Sequence, residues 1–198
     1  MQDKSPSDKI QLRKALRAQR RGLSPQVQHE TARTVAEIAL DEAHFPLGQH
    51  IALFMSADGE VDTGPLLDGL LARGKACYLP VLVEDTTSLL FRQLVPGRPL
   101  VTNFYGLKEP DAGVPVIAPE QLDTVFMPLV GFDGSGNRLG MGKGYYDRTF
   151  AFLAENAAAG PVLIGLAHEC QRVGKLEAAA WDVPLWGILT GLGFTRFR

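Results

Sequence analysis

Four short apolar stretches, residues 51–55, 76–83, 124–130 and 162–166, place the tightest constraint on how this chain folds. Each is too short to bury the apolar stripe of a helix, and each suits a strand covered on both faces. The segments between them carry helical spacing. Ser24 and Pro25 read as the N-cap and first residue of a helix that turns Val27, Thr31, Val35 and Ile38 inward. Thr63 and Pro65 open another, packed through Leu66, Leu67, Leu70 and Leu71 and stopped at Gly74. Residues 145–154 form a further helical segment in which Tyr146, Phe150 and Leu153 share a face. This alternation predicts an α/β fold: one compact domain spanning 1–198, with a central mixed or largely parallel sheet flanked by helices.

Prolines qualify the pattern. Pro80 points to an edge position, a bend or an early end of its strand, and Pro128 limits the ladder of the 124–130 strand. Residues 89–94 read as a further strand reached through a polar turn. The proline- and glycine-rich stretch 96–119 reads as an ordered loop that crosses the surface or covers a pocket.

The first helix, residues 8–21, carries Lys9, Arg13, Arg17 and Arg21 at every fourth position, which lines them along one face. Like charges at that spacing repel unless they face water or meet a polyanion or an acidic protein surface. The chain as a whole is nearly balanced, with 20 basic against 22 acidic side chains, so any strong anion site is local. Nothing in that balance calls for nucleic acid or a membrane surface. Cys77 and Cys170 are too few for a disulfide scaffold, and no signal-peptide or bilayer-length apolar segment stands out, so a cytoplasmic protein is expected.

The densest chemical signal is the run Gly131-Phe132-Asp133-Gly134-Ser135-Gly136-Asn137-Arg138-Leu139-Gly140-Met141-Gly142-Lys143-Gly144-Tyr145-Tyr146-Asp147-Arg148. Gly140, Gly142 and Gly144 alternate just ahead of a helical segment, which lets backbone amides approach a phosphate without intervening side chains. A tight turn alone would also explain them. Lys143 and Arg148 add cationic donors, and Asp147 adds a carboxylate able to hold magnesium against ATP oxygens or, more simply, to pair with Arg148. The spacing is that of neither a Walker A loop nor a dinucleotide fingerprint. His168, beside Glu169 and Cys170, reads as a core or surface histidine.

The 138–148 segment resembles the 5-formyltetrahydrofolate cyclo-ligase family, and further ordered motifs extend the resemblance over most of the chain. Lys9 and Arg13 match its Lys-x-x-x-Arg nucleotide pattern, residues 54–63 its folate segment, and Tyr105 to Pro110 its aromatic loop near the substrate. Trp181-Asp182-Val183-Pro184 is similar to its His-Asp-hydrophobic-Pro segment, but Trp181 stands in place of the common histidine, so no imidazole role carries over. The resemblance implies ATP contacts from Lys9, Arg13, Arg138, Leu139, Gly140, Met141, Gly142, Lys143, Gly144, Tyr145 and Tyr146. It implies catalysis by Lys143, Arg148 and Tyr145, with Arg148 acting on the transferring phosphate or reinforcing the loop. Folate contacts fall on Met55, Glu60 and Tyr105, and magnesium on Asp147 and Asp182. Viewed alone, Met55 and Glu60 read as a strand-end core methionine and a solvent-facing acid, and Tyr105 equally as a packing anchor. The implied reaction is ATP-dependent conversion of 5-formyltetrahydrofolate to 5,10-methenyltetrahydrofolate, releasing ADP and phosphate, by a monomer. The competing classes are a small-molecule kinase using the same loop and an RNA-binding protein using the basic helix.

Overall fold

The computed structural model describes residues 6–41, 45, 47–83, 86–104, 106–156 and 159–197. Its elements begin with α1 (Pro6–Arg21), α2 (Pro25–Ala39), β1 (His50–Ala52), α3 (Gly64–Ala72), β2 (Ala76–Leu82) and β3 (Leu89–Gln93). Then come β4 (Leu100–Thr102), β5 (Lys108–Pro110), β6 (Val116–Ile117), β7 (Thr124–Pro128), β8 (Gly131–Phe132) and β9 (Arg138–Leu139). The chain closes with α4 (Tyr145–Thr149), β10 (Val162–Leu166), β11 (Gly187–Thr190) and β12 (Gly193–Arg196).

Among the described residues one sheet runs in the order β12-β11-β10-β7-β1-β2-β3-β6. The strands from β11 across to β2 are parallel, and β12, β3 and β6 extend the sheet antiparallel. The mixed, mostly parallel α/β sheet expected from the sequence is therefore present. Its winding reverses at the centre: the chain builds outward from β1 through β2 on one side and from β7 through β10 on the other. Loops leaving the C-terminal ends of β1 and β7 consequently diverge, and such a switch point leaves a crevice above the sheet.

Both faces of the sheet are buried, which is why its strands read as continuous apolar runs. Along β7, Phe126 points into one cluster with Val35 and Ala39 of α2 and Leu66 and Leu70 of α3. Val125 and Met127 point into the opposite cluster with Phe132, Phe150 and Leu185. Ser24 caps α2 through Val27 N, as its sequence position suggests, but Val27 itself lies on the outer side, while Thr31 and Val35 are buried. In α3 Leu66 and Leu70 are fully buried and Leu67 and Leu71 pack against the same cluster from its edge, as the spacing predicts. Thr63 precedes that helix without capping it, because its hydroxyl donates instead to Phe54 O at 2.7 Å and ties the helix start to the chain leaving β1.

Pro80 lies inside β2, opposite Phe91 of β3, and not at an edge. Ala76 N donates to Gln49 O, so alternate residues of β2 aim their N–H groups toward β1. By position 80 β1 has ended, Leu53 being its last donor, to Tyr78 O. The missing N–H thus falls just past the last paired residues, Ala52 and Tyr78, and costs the ladder a single bond, the one that would reach Leu53 O.

The 96–119 stretch does cross toward the cleft, but it contains the β4–β5 hairpin and β6 and is not wholly loop. The helix expected over 145–154 is α4, which stops after five residues and continues as a 3-10 turn. Thr149 explains the stop: its hydroxyl bonds back to Tyr145 O at 2.7 Å and accepts Leu89 N at 2.8 Å, tying the backbone to β3 and away from continued helix. Replacing Phe126, which is fully buried at the sheet centre, with alanine is expected to lower stability by about 3–5 kcal/mol. Urea denaturation checks this, as a fall in midpoint with an unchanged slope.

Candidate active site

A cleft of about 670 Å³ opens at the switch point. The chain after β1 supplies Phe54, Met55, Asp58 and Glu60, β2 supplies Leu79, Pro80 and Leu82, and the β9–α4 turn supplies residues 138–147. One face of α1 and the 176–182 segment close two further sides, and Asn103, Leu107 and Lys108 of the hairpin reach over the mouth.

The basic face of α1 is neither wholly solvated nor left for a ligand alone. Arg13 Nε donates to Gly140 O at 2.8 Å, and Lys9 Nζ to Glu177 O at 3.3 Å. Arg17 and Arg21 both bond the Asp58 carboxylate, Arg17 at 2.7 Å. Arg20, which the four-residue ladder skips, is the buried member, at 1% exposure. Its Nη2 lies 2.9 Å from Asp58 Oδ2. Burial raises the Asp58 carboxyl, but hydrogen bonds from Arg17, Arg21 and Arg20 outweigh it and bring the pKa to about 2. Asp58 holds this place with φ at 56°, a left-handed backbone that aspartate tolerates better than most residues.

The β8–β9 turn that leads into the glycine loop is built from within. Asp133, buried at its base, accepts Ser135 N, Asn137 N, Asn137 Nδ2 and, from across the loop, Leu176 N at 2.8 Å. These bonds outweigh the effect of burial and depress its carboxyl pKa. At Gly142 φ is 94° with the Arg13 guanidinium packed against it, and at Gly144 φ is 67° with Arg148 where a Cβ would stand. Side chains are disfavoured at both positions by the left-handed backbone, and at Gly144 a Cβ would also displace the Arg148 guanidinium. Lys143, between them, is exposed on the cleft wall, and its ammonium meets no partner among the described residues.

Asp147 Oδ1 accepts Arg138 Nη2 at 2.5 Å and Val183 N at 3.2 Å, and Asp182 Oδ2 accepts Ala179 N at 2.8 Å. Both carboxylates face the cleft. At the opposite end Glu60 is 16% exposed; burial raises its carboxyl pKa, and the Arg20 charge opposes that rise. Burial, then the Glu60 charge, pushes the Tyr146 hydroxyl well above the usual phenol range. His168 is a core histidine; burial and then the Arg20 charge lower its pKa. Neither ring nitrogen has a hydrogen bond of acceptable geometry, although the backbone of Glu60 and Gly59 lies near enough to act weakly in the other direction.

Lys9, Arg13, Arg138 to Asp147, Met55, Glu60 and Asp182 all line this one cleft. Arg148 is placed otherwise: it is exposed, donates to Thr87 O at 2.8 Å and to Lys143 O, and stacks over Tyr145 at 5.7 Å. These bonds tie the glycine loop to the segment before β3. Tyr105 lies outside the described residues. Sequence reasoning missed Asp133, although Asp-Gly-Ser-Gly-Asn is the chemistry of an Asx turn, and it missed Arg20 and Asp58. Trp181, which lacks the family's imidazole, stands 76% exposed on the cleft rim.

A mostly parallel α/β sheet whose switch-point cleft joins a cation-bearing glycine loop to a half-enclosed carboxylate is the architecture of a nucleotide-using enzyme of small molecules. The model of the 5-formyltetrahydrofolate cyclo-ligase family matches residues 5–191. This chain belongs to that family. It is 42% identical to the 5-formyltetrahydrofolate cyclo-ligase of Haemophilus influenzae over 183 residues, covering 91% of this chain and 96% of that protein. It is 40% identical to that of Escherichia coli K12 over 177 residues, covering 88% and 96%. Among solved structures it is similar to the 5,10-methenyltetrahydrofolate synthetase of Aquifex aeolicus, with a TM-score of 0.79 at 29% identity, covering 96% of this chain and 93% of that one. That of Mycoplasma pneumoniae gives 0.73 at 27% identity, covering 93% and 99%.

Asp58 has a folded pKa near 2 against an ordinary value of 3.8. A depressed carboxylate stabilises the fold fully above the higher value and loses that contribution as pH falls through the lower one. Urea midpoints of the wild type are therefore expected to drop between about pH 4 and about pH 2. In Asp58→Asn that part of the drop should be missing.

Proposed function

We propose that this cyclo-ligase converts 5-formyltetrahydrofolate to 5,10-methenyltetrahydrofolate, with ATP converted to ADP and phosphate, by holding nucleotide and folate at opposite ends of the switch-point cleft. The observation that carries the reading is that the loop cation Lys143 and the distant pair Met55 and Glu60 line one cavity. Lys143 neutralises phosphate, and Arg13, whose Nε is committed to Gly140 O, keeps its terminal amino groups for the same chain. Lys9 extends the series. Glu60 accepts hydrogen bonds from the pterin, and Met55 packs on its flat ring.

The chemical obstacle is that a formyl oxygen is a poor leaving group. Attack of the N5-formyl oxygen on the terminal phosphorus of ATP forms a C–O–P linkage and releases ADP. The N10 lone pair then attacks the formyl carbon, the C–O bond breaks with its electron pair leaving on phosphate, and N10 loses its proton. The amides of the glycine loop and Lys143 stabilise the charge that develops on the transferring phosphoryl group, while the walls align N10 with the formyl carbon.

The residues present fit a magnesium ion carried in with ATP. Magnesium is ordinarily held by one or two carboxylates plus substrate phosphates, not by a full protein cage. Asp147 and Asp182 supply such a pair, each with one oxygen already fixed by protein donors and the other without a hydrogen bond among the described residues. Consistent with that sparse donor set, no cluster of three metal-ligating side chains occurs among the described residues. Magnesium, when bound, neutralises phosphate charge.

The same reading takes 1–198 as one catalytic unit with α1 as a cleft wall, and the protein as a cytoplasmic monomer that binds neither nucleic acid nor membrane. Two free cysteines, Cys77 and Cys170, suit a reducing compartment. The cleft is assembled within one chain, and the arginines of α1 are engaged with Asp58 and the glycine loop.

The direct test incubates purified protein with folinic acid, ATP and magnesium and identifies products. Methenyltetrahydrofolate and free phosphate should appear together; a phosphorylated folate without ring closure would place the protein among small-molecule kinases. Lys143→Met is expected to reduce kcat/KM by about a hundredfold. Because Lys143 is exposed, its thermal midpoint should stay within a degree or so of the wild type, roughly the scale of a neutral surface change. Near-normal turnover at saturating ATP removes Lys143 from the chemistry.

A further inference from the structure

Phosphate binding does not explain Arg20. It lies seven residues beyond Arg13 on α1, roughly 10 Å further along the helix axis and at the Glu60 end of the cleft. We propose that Arg20 is a positioning residue for the reduced folate and acts through Glu60; this rests on the reading that Glu60 meets the pterin.

The geometry is that of a fixed fork. Arg20 Nε donates to Asp58 O at 2.8 Å and Nη1 to Leu129 O at 3.0 Å, two carbonyls on the segments that leave β1 and β7. Nη2 reaches Asp58 Oδ2 at 2.9 Å and Glu60 Oε1 at 3.4 Å. With its plane set by backbone on both sides, the guanidinium presents Glu60 with a donor that has no rotamer freedom left to lose. Glu60 Oε2 is held in turn by Ala57 N at 3.1 Å. Each oxygen thus has one protein donor, and the remaining lone pairs face the cleft.

A reduced pterin presents an amino N–H and a ring N–H side by side, a pair of donors that matches two carboxylate oxygens. The match needs Glu60 ionised, since a proton on either oxygen would turn an acceptor into a donor. Burial favours that proton, and Arg20 is the foremost opposing charge. Burial first, and then the same charge, hold His168 toward its neutral form. A lysine at position 20 would keep the charge but, as a point donor, would not bridge the two carbonyls and both carboxylates at once.

The test is a double-mutant cycle with Arg20→Lys, Glu60→Gln and the pair, measuring KM for folinic acid and for ATP. Arg20→Lys is expected to raise the folinic acid KM about tenfold, the effect of weakening one charge-assisted hydrogen bond, and to change the ATP KM much less, because Arg13 and Leu16 hold the nucleotide end of α1 through contacts of their own. In the Glu60→Gln background the same change should add little. An unchanged folinic acid KM in Arg20→Lys overturns the proposal, and so does a full, additive effect in the Glu60→Gln enzyme. An unchanged KM in Glu60→Gln alone instead removes the folate reading of Glu60, which separates the two failures. Should the Arg20 variants not fold, NMR of the wild type decides. The buried guanidinium N–H signals of Arg20 should move when folinic acid is added without ATP, and stay still in Glu60→Gln. Signals that do not move in the wild type overturn the proposal.

Discussion

A guanidinium out of reach of water costs several kcal/mol unless its donors are met, and among the described residues Arg20 is the charged side chain most completely withdrawn from solvent. It is satisfied only when α1, the segment after β1 and the segment after β7 stand together, because each supplies part of the bonding. Leu16 adds an apolar contact on the same helix, packing with Val130, Leu139 and Leu176. The helix is thereby fixed across the C-terminal side of the sheet. One rigid element then carries Arg13 against the glycine loop and Arg20 against the acidic segment. The spacing between the two ends of the cleft is a helix length, not a loop conformation.

The sheet makes that arrangement possible. Parallel strands put all their C-terminal loops on one side, and reversal of the winding at β1 and β7 leaves room between two of them. Every cleft wall other than the hairpin and α1 is a continuation of a strand or of a turn pinned by a buried carboxylate. Asp133 ties the β8–β9 turn to the segment at Leu176 as Asp58 ties the segment after β1 to α1, and each is a short acid held below its normal pKa by the donors it gathers. The loop backbone is shaped before any ligand arrives, which suits a site that acts by preorganised electrostatics.

Much of this was legible in the sequence, for identifiable reasons. Residues 162–166 form β10 with the expected bounds, because five apolar residues between Gly160-Pro161 and a polar segment leave few alternatives. The glycine loop with Lys143, and the distant Lys9 and Arg13, do line one cleft. What escaped notice was long-range. Arg20 is one residue off the ladder formed by Arg13, Arg17 and Arg21, and nothing local marks it as buried; its partners are 38 and 109 positions away. β11 and β12 are four residues each and sit behind the Trp181 to Pro184 motif, so no periodicity announced them. The early end of α4 comes from Thr149 bonding to β3, a tertiary effect that helical spacing does not contain. Arg148 shows the same limit at a single side chain, since its bonds to the carbonyls of Thr87 and Lys143 include one 61 positions away that no local pattern contains.

The proline within β2 bears on how wet the cleft is. Leu79, Pro80 and Leu82 form the part of the wall that rises past the end of β1. An ordinary residue at position 80 would aim an N–H toward Leu53 O, at the point where β1 has ended and the wall begins. Proline has no such donor. A strand that looks flawed as a ladder thereby gives the cleft a stretch of wall, Leu79, Pro80 and Leu82, with one polar donor fewer to hold water.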